Sequence, residues 1–153
     1  MKICIVSDVF YPYLMGGAER RYWEIAKRLA EEHEVHVYTM RWYDYPKEEE
    51  VSEIKIHRLN APRGFYTEKR RSIGDALRFS LVLMPVALKK HGFDVIDANQ
   101  FPFLHLLPVK ILSKRDGTPL IVTWHEVWGG YWYAYMEKRF YGATGRAIER
   151  LSA

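Results

Sequence analysis

The chain opens on a strand that leaves it few ways to fold. Lys2-Ile-Cys-Ile-Val-Ser7 is an uninterrupted, β-branched apolar run. Such runs suit a strand covered on both faces, as in a parallel sheet packed between helices. After the loop Asp8–Gly17 the period changes: Ala18, Tyr22, Ile25, Ala26 and Leu29 share one helical face, while Glu19, Arg20, Lys27 and Arg28 point outward. This predicts a helix over 17–32. A second strand over Glu34–Met40 completes a βαβ unit, whose parallel strands require a long crossover.

The remainder repeats the alternation. Arg41–Glu50, with Pro46 and three glutamates, reads as a solvated surface loop, and Glu53–Leu59 as a half-exposed strand near the sheet edge. Asn60–Thr67, with Pro62 and Gly64, reads as loop. Ser72 is placed to cap a helix running to about Lys90, with Asp75 in its first turn and Pro85 predicting a kink. Strands over Phe93–Ala98 and Pro119–Trp124 flank a helix over Phe101–Lys114 and a turn at Asp116-Gly117. A last helix over Met136–Leu151 carries Phe140, Thr144, Ile148 and Leu151 on one stripe. Strands alternating with helices throughout predict one α/β domain, a single Rossmann-like, doubly wound, mostly parallel sheet flanked by helices.

Composition removes several classes. A hydrophobic share of 48% excludes disorder, and a single cysteine excludes a disulfide scaffold. Cys4, inside the first apolar run, reads as a small buried hydrophobe in a reducing, cytoplasmic compartment. No secretory leader is expected, and Ile73–Leu88, broken by Asp75, Arg78 and Pro85, is too short to span a bilayer. The net charge of +4 lies wholly in residues 77–153, with 10 basic and 6 acidic side chains. No basic run exceeds Lys69-Arg70-Arg71, and no nucleic-acid module is present, so nucleic acid is not an expected partner. That cluster reads as a solvated helix start, or as contact with an anionic lipid surface or phosphorylated acceptor. One Gln and two Asn beside many Glu, Lys and Arg fit a heat-adapted source.

Ligands of doubly wound sheets bind beyond the carboxyl ends of the strands, where strand order reverses. With order 3-2-1-4-5, three loops share that rim, bringing together Gly16 and Gly17, Asn99 and Gln100, and His125 and Glu126. Gly16-Gly17 directly before a helix suits a phosphate at the helix N-terminus, or a tight turn needing positive φ; both remain open. Neither a Walker loop nor a dinucleotide fingerprint is present. His125, ending the fifth strand, is placed to donate a hydrogen bond or shuttle a proton. His33, His36, His57, His91 and His105 read as surface or satisfied histidines. Their spacing matches no metal site, and no metal or other cofactor is expected. Eight aromatic positions from Trp124 to Tyr141 exceed what one helix can bury, so an exposed share is expected to meet something large.

Taken in order, these segments resemble the N-terminal domain of retaining glycosyltransferases of family 4, which have the GT-B fold. The resemblance is carried by Tyr11-Pro12, Gly16-Gly17-Ala18-Glu19, His33-Glu34-Val35-His36-Val37, Ile56-His57-Arg58, Phe93-Asp94-Val95-Ile96, Thr123-Trp124-His125-Glu126 and Ile148-Glu149-Arg150-Leu151. It implies transfer of a sugar from a nucleotide-sugar donor, with retention, to a carbohydrate or lipid-linked acceptor. It assigns Gly16, Gly17 and Glu19 to the donor diphosphate, and His125 with Glu126 to the catalytic site. Asp97, Asn99, Gln100 and Tyr11 fall on the acceptor cleft; Asp97-Ala98-Asn99 stands where the family often has His-x-His. The family's C-terminal nucleotide-sugar-binding domain has no counterpart within residues 1–153, so the chain alone is expected to be inactive. Peripheral contact with the inner face of a membrane would accompany a lipid-linked acceptor. The alternatives are a non-catalytic module docking on a separate donor-domain chain, and a small stand-alone phosphate-binding domain.

Overall fold

The computed structural model describes residues 1–13, 16–61, 66–67, 70–71, 73–136 and 139–152, with backbone alone at 66–67 and 70–71. In chain order the elements are β1 (Lys2–Val6), α1 (Gly17–Ala30), β2 (Glu34–Thr39), β3 (Glu48–Val51), β4 (Ile54–Arg58), β5 (Tyr66–Thr67), β6 (Arg70–Arg71), α2 (Ile73–Ala87), β7 (Val95–Asn99), α3 (Leu106–Asp116), β8 (Leu120–Thr123), α4 (Tyr131–Met136) and α5 (Arg139–Ser152). The main sheet has the order β3-β4-β2-β1-β7-β8, parallel except for β3, and β5 and β6 form a separate two-stranded ladder. The expected five strands thus lie in the expected order, with the reversal between β1 and β7.

Side-chain alternation separates two layers. Ile3, Ile5, Val35, Val37, Ile54 and Ile56 pack under α1 through Tyr22, Ala26 and Ala30. Cys4, Val6, Tyr38, Ile96 and Ala98 face the opposite way, onto Phe79 and Leu83 of α2 and Leu106, Val109 and Leu112 of α3. Each large aliphatic side chain so buried is worth roughly 1.5–3 kcal/mol. Cys4 is fully buried, and burial pushes its thiol pKa upward.

Several expectations are corrected. The glutamates of the supposed loop 41–50 form edge strand β3, antiparallel to β4 through a turn in which Ser52 and Glu53 have φ of 50° and 62°. Positive φ at both central residues matches a tight hairpin, but Ser-Glu lacks the Asn-Gly signal that announces one. The acidic side chains are drawn to the sheet by cations and rings: Glu49 pairs with the buried Arg58 at 2.7 Å, and Glu48 contacts His57, which lies 2.9 Å from His36. At the other end of the chain, α3 starts at Leu106 rather than Phe101, because 101–105 turns back on itself with Phe103 at φ 69°. The last helical region is two helices, and the buried residues of α5 are Gly142, Gly145, Glu149 and Ser152, while Phe140 and Leu151 are exposed. Helix α2 runs through Pro85 and ends at Ala87. The proposed Ser72 cap and Lys69 lie outside the described residues, as do the side chains of Arg70 and Arg71. No helix among the described residues is long and apolar enough to cross a membrane.

Candidate active-site rim

The loop after β1 delivers the chain to the N-terminus of α1. Gly16 is extended (φ −128°, ψ −175°), and its amide donates to Glu19 Oε2 at 2.7 Å. A Cβ at Gly16 would stand 2.8 Å from that same oxygen, so a side chain there would have to displace the end of Glu19 from its cap. Glu19, expected on the outward face, is instead buried, because its carboxylate turns back to accept from the Gly16 amide. Gly17 is different. It is exposed, lies outside the positive-φ region, and a Cβ there would meet nothing within 4 Å. Neither glycine requires a left-handed turn. Gly16 has no side chain with which to cap the following amides, and like those of any helix the first-turn amides of Gly17 and Ala18 have no intrahelical acceptor. Tyr11, earlier in the loop, stacks on Trp23 at 4.1 Å, and its carbonyl accepts from Arg58.

From β7 the structure brings three of the predicted residues to the rim. Asp97 Oδ1 accepts from Tyr22 of α1 and from Thr123 of β8, each at 3.0 Å. Burial, and then the neighbouring Asp97 carboxylate, push the Tyr22 phenol pKa upward, so the phenol remains a donor. Strand alternation puts Asn99 on the α1 side with Asp97. Its side chain is buried and its Oδ1 has no hydrogen-bond partner among the described residues. A buried, unsatisfied carbonyl oxygen costs roughly 1–3 kcal/mol unless a donor reaches it.

Gln100, only 2% exposed, is a bracket for the next loop. Its Oε1 accepts from the His125 amide at 2.7 Å, and its Nε2 reaches the Glu126 carbonyl at 3.4 Å. The His125 and Glu126 side chains are both exposed. The buried amide thus fixes the backbone and leaves the ionisable groups free for an external partner. No group of three or more His, Cys, Asp or Glu among the described residues is arranged to hold a metal ion.

The residues supporting this loop carry a role that the sequence did not assign to them. Glu149 of α5, 4% exposed, accepts from the amides of Trp128 (2.7 Å) and Gly129 (2.9 Å). Gly142 and Gly145 let α5 approach so closely that added Cβ atoms would stand 2.8 Å from Tyr133 Cα and 2.3 Å from the Trp132 ring. The signal was legible as a Gly-x-x-Gly spacing in an otherwise helical stretch. Of the aromatic run, Trp124, Trp128, Trp132 and Tyr135 join a third apolar cluster with Phe103, while Tyr131, Tyr133, Phe140 and Tyr141 are exposed.

Residues 15–153 match the sequence model of Glycosyltransferase Family 4. The chain belongs to glycosyltransferase family 4. Among solved structures, this family 4 domain matches a sucrose-phosphate synthase from Thermosynechococcus elongatus with a TM-score of 0.66 at 17% identity. The match covers 99% of this chain and 39% of that one, and at this identity it establishes the fold: the Rossmann-like sheet forms one half of a GT-B architecture. Among curated proteins, none matches the chain.

Proposed function

We propose that this family 4 chain is the N-terminal, acceptor-side domain of a retaining glycosyltransferase. In this reading a sugar moves from a nucleotide-sugar donor to a carbohydrate or lipid-linked acceptor, and a C-terminal nucleotide-binding domain supplies the other wall of the cleft. The observation that carries the reading is Gly17. It occupies the first position of α1 with no conformational or steric need for glycine. The empty space at its Cα lies at a helix N-terminus, where amides without an intrahelical acceptor and the positive dipole end favour an anion. A donor diphosphate fits that chemistry: close backbone approach, several N–H donors, and charge that grows as the sugar departs. Glu19 contributes by holding the Gly16 amide, one step behind the anion. No resident metal is invoked.

His125 and Glu126 are assigned to the transferred sugar, with the Gln100 side chain as their positioning bracket. Asp97, Asn99, Gln100 and Tyr11 are assigned to the acceptor side, and the unpaired Asn99 Oδ1 is a ready acceptor for a sugar hydroxyl. Peripheral contact with an anionic, cytoplasmic membrane face is supported by α2. Ile73, Leu77 and Leu81, with Leu88 just beyond the helix, are exposed at helical spacing, and Lys89 and Lys90 follow.

Residues 1–153 alone are expected to show no sugar transfer from UDP- or GDP-sugars. Measurable turnover would overturn the half-enzyme reading. In the two-domain protein, His125→Ala should lower kcat on the order of 10²-fold, as removal of one transition-state hydrogen bond does. Unchanged turnover would remove His125 from the site.

A further inference from the structure

Three side-chain contacts run in a line across β3, β4 and β2, on the sheet face turned away from α1. Glu48 of β3 meets His57 Nδ1, His57 Nε2 lies 2.9 Å from His36 Nδ1, and His36 Nε2 lies 3.0 Å from Glu34 Oε1. Each contact needs one ring proton, because a carboxylate accepts and two facing ring nitrogens cannot both offer lone pairs. Two neutral imidazoles carry two ring protons between them, and two imidazoliums carry four. Two protons leave one contact unmade, and four set N–H against N–H between the rings. Three satisfy the whole line, which makes the pair a single cation.

Burial decides which ring takes the charge. His36 is the more deeply buried, and burial, opposed by its hydrogen bond to Glu34, pushes its pKa downward. His36 is therefore the neutral member, and His57, in contact with the Glu48 carboxylate, is the imidazolium. The surroundings balance that charge. Glu34 also accepts from Lys55 at 2.7 Å, Glu50 of β3 lies opposite Lys55, and Lys2 of β1 lies beside Glu34. Three carboxylates thus face two lysines and one extra proton. The remaining titratable neighbours are Cys4, beside His36 on β1, Tyr38, stacked on His57 at 4.6 Å, and His91, 6.2 Å from Tyr38. Burial pushes the Cys4 and Tyr38 pKa values upward and keeps both groups neutral. A proton fits the gap better than a metal ion. Tetrahedral zinc holds two ring nitrogens roughly 3.3 Å apart, and no group of three metal-ligating side chains is assembled among the described residues.

We infer that His36 and His57 form a proton switch: one proton between the rings fastens the acidic edge strand β3 to the sheet, and its release loosens that strand. A second tie holds β3 on the α1 side, where Arg58 pairs with Glu49 at 2.7 Å. Arginine keeps its charge, so the tie through His57 is the one that responds to pH. The Arg58 guanidinium also donates to the Tyr11 carbonyl at 3.4 Å, which puts the switch one residue from a contact with the rim loop. The fastening is strongest around the ordinary histidine value of about 6.5. It is lost on the alkaline side as His57 gives up its proton, and on the acid side as His36 gains one.

The test is nitrogen NMR of isotope-labelled histidine rings in the whole chain, with amide hydrogen exchange followed in parallel. At about pH 7, His57 should carry protons on both ring nitrogens and His36 on Nε2 alone. His36→Val removes the acceptor facing His57 and should weaken proton binding there at least tenfold. His36→Asn, whose Oδ1 can replace Nδ1 as acceptor, should restore most of that loss. As the proton leaves, the β3 amides should exchange at least threefold faster, relative to unfolded-chain rates at each pH, while β1 amides hold constant. Two neutral rings or two imidazoliums at about pH 7 would overturn the inference. So would a His36→Val chain whose His57 binds its proton as before, β3 exchange that ignores the release, or ring signals that respond to added zinc rather than to pH.

Discussion

Glu149→Ala is the most direct test of how the His125 loop is held. The carboxylate is nearly buried and accepts two backbone amides, from Trp128 at 2.7 Å and Gly129 at 2.9 Å. Hydrogen bonds to a charged acceptor contribute about 1.5–3 kcal/mol each, and removing the acceptor leaves both amides without a partner. Trp128 is only half-buried, so water can reach part of the vacated site, which brings the expected loss to about 3–4 kcal/mol. For a chain of this length 1 kcal/mol corresponds to roughly 2–4 °C, so the melting temperature should fall by about 6–16 °C. Glu149→Gln keeps one acceptor oxygen and turns an N–H donor towards the second amide; it should lose about half as much. The assay is urea denaturation followed in parallel by far-ultraviolet dichroism and tryptophan fluorescence, because Trp128 and Trp132 sit in the cluster that Glu149 anchors. A loss below 1 kcal/mol for Glu149→Ala would refute the bracket, as would a Gln variant as damaging as Ala.

Other expectations follow from the same structure. Gly17→Ala should leave stability unchanged or raise it by about 0.5–1 kcal/mol, since a Cβ meets nothing there, yet weaken pyrophosphate binding at least tenfold by titration. Gly16→Ala should instead cost about 1 kcal/mol by displacing the Glu19 cap, read from the denaturation midpoint. Gln100→Ala should speed amide hydrogen exchange at His125 while the rates of β1 hold; equal protection at His125 would contradict the bracket. Glu34 is held at about 2 by a hydrogen bond from Lys55 and then one from His36, below the ordinary carboxylate value of 4.5. Between those values the unfolded chain binds the extra proton, so this contribution is present above about 4.5 and is lost as pH falls towards 2. Lys55→Met should flatten that limb of a stability–pH curve, and an unchanged slope would refute the assignment.

Order and parity were written locally. The apolar runs at 2–7, 34–40 and 93–98 name buried parallel strands because a strand covered on both faces needs apolar residues at successive positions. The helical period from Ala18 sets the face of α1, and the connection rules for such alternation leave few strand orders, among them the 3-2-1-4-5 order that the structure shows. Given that order, the rim follows by topology, and Gly16-Gly17, Asn99-Gln100 and His125-Glu126 fall together on it. Local reasoning failed where a distant partner decides. The acidic run 48–50 is a strand because His57 and Arg58, on the neighbouring strand, draw it in. The buried face of α5 is glycine and Glu149 because α4 presses against it, and no periodicity of large apolar residues announces a contact made by absent side chains. Tertiary structure also divided two alike glycines. Gly16 answers to Glu19, and Gly17 answers to nothing within the chain. Sequence determined the sheet and its rim, because alternation and period are local properties. Which rim groups are engaged and which face outward depended on long-range hydrogen bonds and packing, which only the folded chain assembles.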